Sequence, residues 1–259
     1  MCLLQEQSNR ILKLILNRPE QLNVFDETMC VALCDALVAA ELAPEVAVVV
    51  LTGAGRAFSA GADLSKFLEL GRKIAVGDSA FGEMIARLAS FRKPLIAAVN
   101  GIGVGIGMTM LAYCDLVLMS GDARLCAPFV QLGLSPEAGS SAMFPRVMGW
   151  SQSAYTLLTG NWISAQEAWE AKLVWRVCPP EQLMAETMDL AEQIARQPLD
   201  SLIATKELLL ANGRAQAAAA AHEREMQMYQ RLVGSPVNQE AIAAFIEKRA
   251  PSFLGLPGY

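Results

Sequence analysis

The chain has 259 residues, of which 53% are hydrophobic, and a net charge of -5. That length suits one large domain, or a domain with a helical appendage, and the apolar share exceeds what a monomer of this size needs, so a buried subunit interface is expected. The acidic balance without any basic run argues against a nucleic-acid partner, and the six cysteines lack zinc-like spacing, so no metal is expected. The opening MCLLQEQSNR has no positive flank leading into an apolar core, as a secretory signal would. The closing GLPGY is no peroxisomal address, and a cytoplasmic protein is the simplest expectation.

In chain order, Ile11–Leu16 alternates as a strand and NRPEQLN (17–23) follows it as a turn. Asp26 is placed to cap a helix over 27–40, in which Cys30 and Cys34 sit one turn apart as buried thiols. The β-branched run 46–51 reads as a buried strand ending in the glycine-interrupted loop TGAGRAFSAGADL (52–64). A helix is expected to open near Leu64 and another to span 78–91. Strands are expected at 115–119, 123–126 and 173–177, and Ser135-Pro136-Glu137 reads as a helix start: a capping hydroxyl, a proline, then an acid in the first turn. Short helices follow, interrupted by Gly149 and Gly160, and beyond Pro180 the chain reads as helix broken at Pro198, Gly213 and Pro236. Strands alternating with helices indicate an α/β fold with parallel pairing. The expected division is a core over 1–197 and a helical tail over 198–259, with no repeat visible in the sequence.

The stretch 94–115, PLIAAVNGIGVGIGMTMLAYCD, organises the rest. It is uncharged up to Asp115 and long enough to pass for a membrane span. Asn100 and the glycines at 101, 103, 105 and 107 cut it in two, which predicts strand, glycine turn and helix in a water-soluble core, with no membrane partner. The spacing is neither a G-x-G-x-x-G fingerprint nor a P-loop. Such a turn bares amides that bind an anion or an incipient oxyanion, or else it only lets two backbones pack closely. A second glycine loop, 52–64, also follows a buried strand. In an α/β sheet such loops gather at the carboxyl ends of the strands, where two of them can grip one carbonyl oxygen.

With the two loops in place, the chain resembles the crotonase (enoyl-CoA hydratase/isomerase) superfamily. The resemblance rests on LNRPEQLN (16–23), LTGAGRAFSAGADL (51–64), AAVNGIGVGIG (97–107), AYCDLVLMS (112–120) and AIAAFIEKRAPSF (241–253), in family order. It implies a crotonase-like ββα spiral core with a C-terminal helical trimerisation region, and an acyl-CoA thioester as ligand. On matching positions the oxyanion amides are those of Ala62 and Ile106, and the carbonyl of Ala60 receives the adenine amino group. Asp63, Leu64, Phe129 and Leu132 line the substrate site, and Phe245 and Lys248 reach the CoA of a neighbouring subunit in a homotrimer or dimer of trimers. Glu20 stands where many members carry a CoA-binding lysine.

The departures direct the expected chemistry. Hydratases of this family carry two catalytic glutamates, and here those positions hold Thr109 and Phe129. Glu137, in LGLSPEAGSS, is similar to the single glutamate of the peroxisomal-type Δ3,Δ2-enoyl-CoA isomerase branch. The expectation is therefore a one-base isomerase that shifts a 3-enoyl-CoA double bond into conjugation, with no cofactor beyond the CoA of its substrate. An apolar surround of Phe129, Leu132, Leu134 and Met143 would make Glu137 a better base. The alternatives are isomerisation of a ring-epoxide or oxepin CoA ester, weak hydration, and a non-catalytic acyl-CoA-binding scaffold. A serine hydrolase built on Ser59 and the sole histidine, His222, is disfavoured because AAAAHERE reads as a solvated helix face.

Overall fold

A computed structural model of the chain describes residues 1–63 and 80–258. Its frame is a six-stranded sheet in the order β1 (Leu3–Ser8), β2 (Ile11–Leu16), β3 (Val48–Gly53), β5 (Leu95–Val99), β7 (Leu116–Ser120) and β10 (Arg176–Cys178). β1 and β2 are antiparallel and every other neighbouring pair is parallel. A second sheet orders β4 (Ala57–Ser59), β6 (Ile102–Val104), β8 (Arg124–Cys126) and β9 (Ile163–Ser164). Thus β3, β5 and β7 each leave the large sheet through a short turn and deliver the next strand to the small one. That spiral is a repeat of structure without a repeat of sequence.

The central strands read as unbroken apolar runs because both of their faces are covered. Val49, Leu51, Ala97 and Val99 point into one core, shared with helices α1 (Glu27–Leu42) and α2 (Ala80–Ser90). Their alternate neighbours Val48, Val50, Ile96 and Ala98 point into a second core, with α6 (Leu183–Ala195). Asp26 caps α1 by accepting from the Met29 amide at 2.9 Å. The run 94–115 becomes β5, β6, the one-turn helix α3 (Ile106–Thr109) and a 3-10 turn, Met110–Tyr113. Among the described residues no helix is long and apolar enough to cross a membrane.

Several expectations need correction. β1 is an addition: its polar, exposed face hides the alternation, and the hairpin turns through Asn9 and Arg10, both at positive φ (49° and 65°). The strand expected at 173–177 lies at Arg176–Cys178. Ser135-Pro136-Glu137 does not start a helix. Ala138 and Gly139 turn left-handed (φ 60° and 69°), and α4 (Ser140–Thr159) opens only after them, with a kink at Gly149. The helix expected near Leu64 lies outside the described residues, and the one expected over 78–91 appears as α2.

The tail breaks where expected. α7 (Leu199–Leu210) follows Pro198, α8 (Arg214–Leu232) follows Gly213, and α9 (Pro236–Glu247) starts on its proline with Ser235 as cap. α8 buries Ala218, Met226 and Tyr229 in the same core as the sheet. His222 is not solvated: it is half-buried with its ring 6.0 Å from that of Phe81, and burial lowers its pKa.

Candidate active site

The turn 17–23 is the scaffold for the first loop. Asn23, fully buried at positive φ, donates to the carbonyls of Ala54 and Ala57 at 2.9 and 2.8 Å. Ser59 Oγ donates to the Asn23 carbonyl at 2.8 Å and accepts from Gly61 N, so this hydroxyl is structural. Residues 61–63 then run parallel to Phe25: its amide donates to Gly61 O, and Asp63 N donates to its carbonyl. In a parallel bridge the residue between those two contacts points its own amide the other way. That residue is Ala62, and among the described residues its N–H has no acceptor.

The second donor comes from the glycine turn. Gly105 (φ 52°) reverses the chain after β6, and Ile106 is the first residue of α3, so its amide has no helical acceptor. Gly107 allows close packing as well: a Cβ there would lie 2.5 Å from Ser59 O. The turn therefore does both things its sequence allowed, packing the two loops together and baring an amide.

Glu137 completes the constellation. A methyl group built on Gly105 would sit 3.7 Å from Glu137 Oε1 and 3.9 Å from Gly61 Cα, so the carboxyl faces the junction of the two loops. All three line a cavity of 580 Å3. Among the described residues Glu137 is the only carboxylate on its wall and Arg249 the only cation. Glu137 is 6% exposed, and its pKa is pushed up to about 8, first by burial and second by the charge of Glu225. Phe129, Leu132 and Leu134 supply apolar wall, while Met143 is buried nearby without lining it.

Of the other expected site residues, Ala60 lines the cavity, with a carbonyl that takes no donor among the described residues. Asp63 is half-buried beside the wall, and Leu64 falls outside the described residues. Phe245 lies on the wall of its own chain's cavity, whereas Lys248 ends α9 in a left-handed turn and does not line it. Glu20 is exposed in the 3-10 turn Pro19–Gln21. Thr109 is fully buried off the wall, with an Oγ1 that makes no hydrogen bond among the described residues.

The sequence did not point to Tyr229, Trp162, Leu22 or Phe253, which also form the wall. Tyr229 is 1% exposed, and burial and the charge of Glu137 both raise its pKa. The tail is tied over the cavity by Arg249, whose Nη2 donates to Glu240 at 2.9 Å, and by Ser252 N, which donates to Glu240 at 2.7 Å. Asn238 Nδ2 donates to Leu132 O at 2.7 Å, docking α9 onto the wall. The Asn238–Leu132 contact joins positions 106 residues apart, whereas the Glu240 contacts are local to the tail, and the only sequence signal for the docking is an asparagine in an otherwise ordinary helix.

Two spirally linked sheets, with glycine loops that bare two amides at their junction, define a crotonase-type fold; Ile106 itself does not line the cavity. The enoyl-CoA hydratase/isomerase family matches residues 6–255, and the chain belongs to it. It is 35% identical over 253 residues to the 2,3-dehydroadipyl-CoA hydratase of Escherichia coli K12, covering 98% of each chain. It is 33% identical over 255 residues to the 1,2-epoxyphenylacetyl-CoA isomerase of the same organism, covering 95% of each. Among solved structures, an enoyl-CoA hydratase/isomerase from Pseudoalteromonas atlantica T6c superposes with a TM-score of 0.90 at 34% identity, over 98% of this chain and 100% of that one.

Proposed function

We propose that the protein is a Δ3,Δ2-enoyl-CoA isomerase acting through one glutamate. The observation that carries this reading is the single carboxylate on the described wall, set against two unpartnered amides. The thioester oxygen lies between the amides of Ala62 and Ile106, which stabilise an enolate; a backbone donor of this kind contributes roughly 3 kcal/mol to the transition state. Glu137 takes a proton from C2 of a 3-enoyl-CoA and returns it at C4, so the double bond moves into conjugation and no other atom is gained or lost. The raised affinity of Glu137 for a proton suits both halves of that transfer. Hydration needs an acid and a base together, and Thr109 and Phe129 supply neither. The step calls for no metal or redox cofactor. The test compares 3-hexenoyl-CoA with crotonyl-CoA: fast isomerisation of the first and slow hydration of the second are expected. Comparable rates would overturn the one-base reading.

A second reading, isomerisation of a ring-epoxide CoA ester, is favoured by the likeness to the 1,2-epoxyphenylacetyl-CoA isomerase. It would appear as turnover of that ester with none of 3-hexenoyl-CoA. We also propose a homotrimer or dimer of trimers, with residues 198–259 as the trimerisation region. Within that region Leu208 (75% exposed), Leu209 (65%) and Ile246 (62%) support an apolar interface. A compact monomer in sedimentation at micromolar concentration would overturn it.

A further inference from the structure

Helix α4, which follows Glu137, opens on Gly139 and so has no side chain of its own to cap its first amides. The cap arrives from the tail. Glu225, on α8, accepts from Gly139 N through Oε2 at 2.6 Å and from Ser141 N through Oε1 at 2.8 Å. It is 4% exposed, and among the described residues its two oxygens meet these amides and no cation. Only Ala138 separates this clamp from Glu137, and the Ala138 carbonyl accepts from the Tyr113 hydroxyl. The Glu137 carbonyl in turn accepts from Ser140 N and Oγ, at 3.1 and 2.6 Å. The left-handed bend at 138–139 is thereby held in place, and with it the direction in which Glu137 leaves the chain.

We propose that Glu225 is a positioning residue for Glu137: its carboxylate fixes the bend that aims the base at the oxyanion amides, and its negative charge strengthens that base. This rests on the reading of Glu137 as the base. Among the described residues the other titratable groups that sense Glu225 are the Tyr113 hydroxyl and His222, one turn earlier on α8; Arg214 sits against Tyr113, its guanidinium 5.5 Å from the ring and donating to the Tyr113 carbonyl. Arg214 donates to a backbone oxygen, and among the described residues Glu225 forms no salt bridge that would offset its charge at Glu137. The base and the tail are then one unit: a shift of α8 moves the carboxyl and alters its basicity together.

The test uses the full chain as wild type, Glu225→Gln and Glu225→Asp, with Glu137→Gln as control. Isomerisation of 3-hexenoyl-CoA is followed across pH 5.5–9.5. The Glu137 carboxyl is titrated separately by infrared difference spectroscopy, as the band absent from Glu137→Gln. Gln removes the charge and turns an amide donor toward a backbone donor. It should lower kcat on the order of 10–100-fold through misplacement and move the Glu137 titration about 0.5–1 pH unit lower. Asp keeps the charge but cannot span both amides, so kcat should fall while the titration stays in place. Unchanged kcat and titration in both variants, with only the melting temperature lowered, would reduce Glu225 to a helix cap and overturn the proposal. Should Glu225→Gln not fold, Glu225→Asp decides: wild-type kcat overturns the proposal. If Glu137→Gln keeps its turnover, the base assignment itself fails, while the infrared titration still reports whether Glu225 acts on the Glu137 carboxyl.

Discussion

The amides of Ala62 and Ile106 end short turns that leave neighbouring strands of one sheet, whereas the carboxyl of Glu137 is carried by a segment whose fixing contacts come from residues 113 and 225. The donor arm is made of backbone: the Ile106 amide is bared by the reversal at the adjacent Gly105, and the Ala62 amide by the parallel bridge to Phe25, earlier in the chain. The acid arm is assembled at long range and buried, which shifts its chemistry as well as its position. Backbone donors tolerate changes of side chain; a carboxyl held by other side chains does not. A site built this way can keep two backbone donors in place while its proton chemistry varies.

The acid arm is the place to break the site hardest. Glu137→Gln keeps size and hydrogen-bonding reach but cannot accept the C2 proton, so kcat for 3-hexenoyl-CoA should fall on the order of 10²–10⁴-fold with thioester affinity nearly unchanged. A kcat within a few-fold of wild type would return Glu137 to a structural role. The donor arm is broken through packing instead. In Gly107→Ala the new Cβ would lie 2.5 Å from Ser59 O, so α3 and β4 must move apart and carry Ile106 away from Ala62. A loss of about 10²-fold in kcat is expected, together with a lower melting temperature. A variant as active as wild type would show that the spacing of the two amides is not critical.

The contrast also sets what was legible in the sequence. β3, β5 and the glycine loops are local patterns, apolar runs ended by glycine, and each loop carries a bare amide; which residue bears it is implied by the family resemblance rather than by those patterns. Glu137 was found by its motif but set in the wrong conformation. Pro136 and an acid look like a helix start, while the left-handed pair at 138–139 is stabilised by Tyr113 and Glu225, far away in the chain. Tyr229 and Phe253 reach the wall only because α8 and the closing tail fold back over the cavity, and no periodicity announces which face of such a helix meets a ligand. β1 escaped notice for the opposite reason, being an edge strand with too little buried to show a pattern.

The burial of Glu137 carries a stability consequence that the donor arm lacks. Its pKa rises from 4.5 to about 8 on folding, so the native chain holds a proton that the unfolded chain releases between those values. The stability contributed by this group is fully present below pH 4.5 and is lost as pH rises through about 8. Glu137→Gln removes that loss. Its melting temperature should match wild type near pH 5 and exceed it by pH 9, by an amount corresponding to on the order of 4–5 kcal/mol. A difference that stays flat with pH would mean that the carboxyl is solvated.

The same titration should appear in the kinetics, with a smaller effect over a single pH step. Only the ionised form of Glu137 can take the C2 proton, and kcat/KM reports the ionisation of the free enzyme. Below about pH 8 the competent fraction falls roughly tenfold for each pH unit, so kcat/KM for 3-hexenoyl-CoA should rise with slope one and level off near that pH. An ordinary glutamate would leave the profile flat above about pH 5.5. The direction follows from burial alone, since desolvation favours the neutral acid whatever the reaction. Glu225, whose charge adds to the same displacement, should move the limb when neutralised, whereas Gly107→Ala should lower the whole profile without moving it. A limb that shifts in Gly107→Ala would mean that the two arms are electrostatically coupled, and the separation drawn between them would not hold.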